Sequence, residues 1–212
     1  SYVDGTIPIV FLHSWGSDSL GSWFKVLPKI KNKNSFIAID LRNHGKSDSS
    51  WKRWDVDENA DLVISILEKL GIDSDKIAFK VFISFVRIRE RLFPNFNPQS
   101  KFSFLRKSQS IEDEYTEWAW NNLHRSKDDF IYGDGGRFVV PYDARPWIHE
   151  IHSDTLVITG GKDKLVPEET SNEVINRLNT VKSKVINDAG HSVPWTHADE
   201  LLEEINSFLN NE

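Results

Sequence analysis

Ile7 to Leu12 (IPIVFL) and Phe36 to Asp40 (FIAID) are short, β-rich apolar runs without clean apolar-polar alternation, and they constrain the fold more than any other feature of the chain. A strand with apolar side chains on both faces must be covered on both. That is the habit of parallel strands flanked by helices. Thr155 to Thr159 (TLVIT) is another such run, followed by Gly160 and Gly161, and Ser183 to Ile186 reads as a short last strand. Between them, Val56, Leu62, Val63, Ile66, Leu67 and Leu70 recur at steps that trace one face of a helix. Asp55 or Asp57 can cap its start and Gly71 can close its end. Val174, Ile175 and Leu178 mark a second helix, and Leu202, Ile205 and Leu209 share a face of a final helix from Leu201 to Leu209. Strands alternating with helices predict an α/β sheet, whose ligands sit beyond the carboxyl ends of its strands.

Residues 87–150 break this rhythm with a charged stretch that holds Trp118, Trp120 and Trp147 and a turn at Gly133 to Gly136, and read as an insertion. The expected organisation is therefore a core in two parts, 1–86 and 151–212, around a cap at 87–150. At 212 residues with 39% hydrophobic content the chain can bury one large core. The net charge of -6, with no block of Lys or Arg, argues against nucleic acid as a partner. Apolar stretches such as Ile77 to Phe79 fall far short of a membrane span, and Ser1 does not open a signal sequence, so a cytoplasmic protein is expected. Zero Cys removes disulfide scaffolds, thiol nucleophiles and thiolate zinc sites. His149 and His152 form an incomplete metal pair without a third ligand nearby. Asp55, Asp57, Asn59 and Asp61 lack the central Gly of a calcium loop and suit a helix start, and Gly160-Gly161-Lys162 lacks the frame of a phosphate loop. No metal or organic cofactor is expected.

Four motifs stand at the ends of the predicted strands. His13-Ser14-Trp15-Gly16 follows the first, Asp40 to Ser47 (DLRNHGKS) the second, Gly161-Lys162-Asp163 the late strand and Ala189-Gly190-His191-Ser192 the last. In this order they resemble the α/β-hydrolase superfamily, in particular its small cap-bearing esterase, lactonase and aminopeptidase-like members, over roughly Ile7 to Phe79 and Thr155 to Leu209. The resemblance implies an α/β-hydrolase core, a mainly parallel sheet flanked by helices, with a mostly helical cap. It makes His191 the catalytic base, Asp163 the acid that fixes its tautomer, and the Trp15 N–H a donor of the oxyanion hole. Ser14 stands where the family usually has Gly. Asp40, Arg42, His44, Gly45 and Ser47 are assigned to architecture.

The nucleophile is missing. The family presents it as Gly-x-Ser-x-Gly on a strained turn between strand and helix, and no such turn occurs here. Ser84, the nearest hydroxyl after Phe79, is flanked by Phe82 and Val86 where that turn needs Gly. Ile77 to Ile88 reads as two strand fragments abutted at Lys80 or Val81, yet parallel neighbours need a crossover of a dozen residues or more between them. A strand-elbow-helix segment is therefore expected to be absent, and the chain also starts late, Ser1 to Gly5 resembling only the tail of the family's leading hairpin. Zero Met, where the family's elbow often carries one, favours a segment lost from the sequence as it stands over one lost from the protein. The expected function is hydrolysis of a small ester, amide or related acyl bond on an apolar or aromatic substrate, the lid aromatics (Phe93, Phe96, Phe102, Phe104, Tyr115, Trp118, Trp120, Trp147) supplying one or two contacts. Trp195 is a further candidate contact. The alternative is an inactive relative that binds a ligand or partner. The oligomeric state is not legible in these residues.

Overall fold

The computed structural model describes residues 3–4, 8–14, 17–48, 56–72 and 142–210. Elements run β1 (Ile9–Leu12), α1 (Ser19–Trp23), α2 (Leu27–Ile30), β2 (Phe36–Ile39) and α3 (Val56–Lys69). After a short 3-10 turn, Ile148–Glu150, come β3 (Thr155–Gly160), α4 (Glu168–Ile175), β4 (Val181–Ile186), α5 (Val193–Thr196) and α6 (Ala198–Leu209). Among the described residues the strands form two parallel pairs, Ile9 opposite Phe36 through Leu12 opposite Ile39, and Thr155 opposite Val181 through Gly160 opposite Ile186. The junction at Phe79 and Lys80, Ser84 and most of the expected cap lie outside the described residues.

Burial explains why the strands do not alternate. Phe11, with Ile9, Phe36 and Ala38 against it, belongs to a core shared with Trp23 and Val26 near α1, Ile30 of α2, and Leu201, Leu202 and Ile205 of α6. Val10, Ile37 and Ile39 point the other way and meet Val63, Ile66 and Leu67 of α3. Each strand of this pair is thus covered on both faces, the condition that makes a continuous apolar run stable. The first core also takes in Ile186, Ala189 and Val193, so one apolar body joins both halves of the chain. Ala144 and Ile148, within the range assigned to the cap, pack with Leu178 against Val157, Val174 and Val181.

The helix signals hold with small changes at the ends. Asp57 and Glu58 lie in the first turn of α3, where acids complement the helix dipole. Gly71 takes φ +69 just past its end. There the N–H of Gly71 reaches the Glu68 carbonyl and that of Ile72 the Leu67 carbonyl, satisfying the last turn. Leu178 falls outside α4, because the chain turns at Asn176, and it buries itself against Ala144 and Ile148 instead. Ser183 to Ile186 is the last four residues of a six-residue strand that begins at Val181. No helix among the described residues is long and apolar enough to cross a membrane.

Candidate active site

β3 and β4 are parallel neighbours in register, so the loops that leave their carboxyl ends start side by side. Glycine lets them touch. A Cβ on Gly160 would lie 2.3 Å from the Gly190 carbonyl oxygen and 2.6 Å from that of Ala189, and one on Gly161 would lie 2.8 Å from the Asn187 carbonyl. The vacant positions admit a ladder that continues beyond the strands. The Gly161 N–H donates to Ile186 O at 2.9 Å, Lys162 N–H to Ala189 O at 2.8 Å and Asp163 N–H back to Gly160 O at 3.0 Å. Gly160 and Gly161, which carry no phosphate-loop frame, are there for backbone approach.

This lacing brings Asp163 and His191 together. His191 Nδ1–H donates to Asp163 Oδ2 at 2.9 Å, and Asp163 Oδ1 accepts from the N–H groups of Leu165 at 2.8 Å and Val166 at 3.0 Å. A carboxylate only accepts, so the ring proton sits on Nδ1 and Nε2 is left as the basic nitrogen. Asp163 therefore closes the turn before α4 with one oxygen and holds the imidazole with the other. Burial works against its charge, but the hydrogen bonds from His191, Val166 and Leu165 and the nearby imidazole outweigh it, and the carboxyl sits below its ordinary value. The side chains are 11% exposed for Asp163 and 24% for His191, so the acid is the more sheltered of the two.

At the other pair of strand ends the motifs form a brace. Asp40 Oδ1 accepts the Ser19 N–H at 2.8 Å and Oδ2 that of Lys46 at 2.9 Å. Ser47 Oγ bonds the Leu41 carbonyl at 2.6 Å, and His44 Nδ1–H donates to Arg42 O at 2.8 Å. Gly45 takes φ +53 and a Cβ there would strike the Asp40 carboxylate, so the turn requires Gly. The architectural assignment of this loop is what the geometry shows. His13 adds a link that its sequence gave no sign of: Nδ1–H donates to Ser14 O at 2.9 Å while Nε2 accepts the Leu41 N–H at 2.9 Å, tying the turn after β1 to the loop after β2. Ser14 takes no positive φ, since Asn43 is the non-glycine residue with that conformation among the described residues. The family's Gly is thus not needed there. Trp15 lies outside the described residues.

His13 also predicts how the fold responds to acid. Burial, with a smaller contribution from His44, lowers its pKa from 6.5 to about 4, against the raising effects of the Ser14 bond and Asp40. The folded ring stays neutral while the unfolded chain takes up a proton, so stability falls as pH drops from about 6.5 towards about 4. A shift of this size corresponds to about 3 kcal/mol. Urea unfolding at pH 7 and pH 4.5 should show most of that loss, and ring nitrogen shifts should keep His13 in the Nδ1–H form at pH 5.5. A flat stability profile over this range contradicts the assignment.

Trp195 does not stand free for a substrate. Its indole N–H donates to the Gly21 carbonyl at 2.7 Å and its ring meets Phe24 edge-on, 5.8 Å between centroids. His149 and His152 gather no third ligand, and among the described residues no group of three His, Cys, Asp or Glu is placed to hold a metal ion. Trp147 packs edge-on to Tyr142 at 6.3 Å, and the other lid aromatics lie outside the described residues.

Parallel strands covered on both faces, with a His-Asp pair in the loops at their carboxyl ends, define an α/β protein with a candidate acid-base site. The sequence model of the alpha/beta hydrolase fold matches residues 80–198, more than half of the chain, and the protein belongs to that family. Its match begins at Lys80, at the junction where a strand-elbow-helix segment is expected to be absent. The chain is similar to the AB hydrolase superfamily protein YisY of Bacillus subtilis (strain 168), 21% identical over 249 aligned positions that take in 96% of this chain and 92% of that protein. That alignment is longer than the 212-residue chain, so the relative carries residues for which this chain has no counterpart. The 2-hydroxy-6-oxo-6-phenylhexa-2,4-dienoate hydrolase of Burkholderia cepacia is 28% identical over 104 residues, 48% of this chain but 36% of that protein. Among solved structures, a hydrolase from Pseudomonas aeruginosa PA01 superposes with a TM-score of 0.78 at 14% identity, over 99% of this chain and 92% of that one.

Proposed function

We propose that the protein hydrolyses a small ester, amide or related acyl bond through a covalent acyl-enzyme, with His191 as general base and acid and Asp163 as its orienting partner. The observation that carries this is the 2.9 Å bond from His191 Nδ1–H to a carboxylate whose other oxygen is held by two backbone N–H groups. Nε2 is then the nitrogen that takes the proton of an attacking hydroxyl and returns it to the leaving group. The Trp15 N–H is assigned to the oxyanion hole. The nucleophile is a serine on an elbow whose place is the junction of Phe79 and Lys80 and which the 212 residues do not contain. Support comes from the abutted strand fragments at that junction, from the longer alignment with the Bacillus subtilis relative and from the start of the family match at Lys80.

On this reading residues 1–86 and 151–212 form the catalytic body and 87–150 the lid, with Ala144 and Ile148 seated on Leu178 where the lid rejoins the body. The aromatic residues of the lid suit an apolar or aromatic acyl group, and the relative named for a 6-oxo-6-phenyl dienoate supports that class. A fluorophosphonate probe should label a single serine, on a peptide absent from the present sequence, and replacement of that serine should abolish hydrolysis of p-nitrophenyl acetate. A second reading, an inactive relative that binds a ligand or partner, is favoured by the lack of any Gly-x-Ser-x-Gly in the chain. An intact mass of 24.5 kDa together with no labelled serine sinks the first reading.

A further inference from the structure

We infer that Trp195 is a positioning residue, which fixes His191 against the carboxyl end of β1 through two indole hydrogen bonds in series. The inference rests on the proposed role of His191 as base. Asp163 orients the imidazole, but it stands on the loop after β3, in the same half of the chain as His191, and does not relate the ring to the turn after β1. The hydrophobic attraction in the core shared by the two halves is non-directional. A directional connection is built from Trp195.

Its first step is local. The N–H groups of Trp195 and Thr196 both donate to Ser192 O, at 2.9 and 3.1 Å, so the residue next to His191 and the indole belong to one rigid helical turn. The second step crosses the molecule, from Trp195 Nε1 to Gly21 O at 2.7 Å. Gly21 is buried in α1, and α1 is fixed at its start: Asp18 Oδ1 accepts the Gly21 N–H at 2.6 Å and Asp40 Oδ1 that of Ser19 at 2.8 Å. The third step leaves α1 through Trp23, whose Nε1–H donates to Leu12 O at 3.0 Å, on the last residue of β1. Edge-on contacts of Trp195 with Phe24 and of Trp23 with Phe11, the latter at 5.1 Å, hold both indoles in orientation. The base and the carboxyl end of β1 are thereby held at one separation, and a displacement of about 1 Å within an active site can cost up to about 100-fold in rate.

Trp195→Phe keeps a ring against Phe24 and removes the donor, and Trp23→Phe does the same at the other link. With p-nitrophenyl acetate as probe, each should lower kcat about tenfold, in the range that modest misplacement produces, with KM within about twofold. Because the links act in series, the double variant should lose no more than the larger single loss. A merely structural role lowers the melting temperature but leaves kcat per folded molecule unchanged. Unchanged kcat in Trp195→Phe, or losses that multiply in the double variant, overturns the inference. Should Trp23→Phe not fold, Trp195→Phe decides alone through the split between kcat and KM. A wild-type protein that neither hydrolyses the probe nor takes a fluorophosphonate label removes the proposed function and this inference together, whereas an active wild type with an equally active Trp195→Phe removes only the latter.

Discussion

Asp163→Asn lowers the rate of p-nitrophenyl acetate hydrolysis about 10⁴-fold while leaving the fold in place, if His191 acts as proposed. The carboxylate accepts the Nδ1 proton of His191, and an amide nitrogen turned to the same point can only donate. The imidazole is then driven to the tautomer with its proton on Nε2 and cannot act as a base. Oδ1 of the new side chain still accepts from Leu165 and Val166, so the turn before α4 survives and the loss is in chemistry rather than folding. His191→Ala should lose about as much, and the double variant little more, because residues that act as a unit are not additive. A fluorophosphonate labelling rate that stays within tenfold of wild type in Asp163→Asn would mean that the pair is structural.

Gly160→Ala should destabilise the protein by about 4 kcal/mol, above the ~1–3 kcal/mol usual for overpacking, since the atoms in the way are backbone. The added methyl would sit 2.3 Å from Gly190 O and 2.6 Å from Ala189 O, and neither can rotate aside. What survives folding should also be nearly inactive, because the displaced loop is the one that carries His191. Gly190→Ala is the matched control. A Cβ there meets nothing within 4 Å and the residue has no positive φ, so the change should stay within about 1 kcal/mol. Chemical unfolding of the two variants side by side tests the claim, and equal stabilities would show that close approach at Gly160 is not what joins the loops.

Much of the architecture could be read along the chain because it depends on local pattern. The doubly apolar runs at β1, β2 and β3 announce strands covered on both faces, and the spacing of Val63, Ile66 and Leu67 announces the face of α3 that meets Ile39. The ends were less legible. Leu178 continues the apolar spacing of α4 but lies beyond its end, and an isolated periodicity does not tell a helix position from a buried loop contact. The motif order pointed to Asp163 and His191, yet it gave no hint that Gly160 and Gly161 serve to let two backbones touch, since a glycine's role is defined by what approaches it from elsewhere.

His13 and Trp195 make the same point for side chains. In sequence His13 was one letter of a turn motif and Trp195 a plausible substrate contact. Their partners, Leu41 and Gly21, lie 28 and 174 positions away. Sequence by itself determined the class of fold, the four strands β1 to β4 and the helices α3, α4 and α6, because each is encoded by residues near one another in the chain. The short helices α1, α2 and α5 left no periodic signal, and Asp163 and His191 were singled out only by the order of motifs along the whole chain. Only the tertiary structure decided that the two side chains are hydrogen-bonded, that His13 is a buried neutral clamp, and that Trp195 is committed to α1. Hydrogen bonds and desolvation depend on distance in space, and a linear pattern does not contain it.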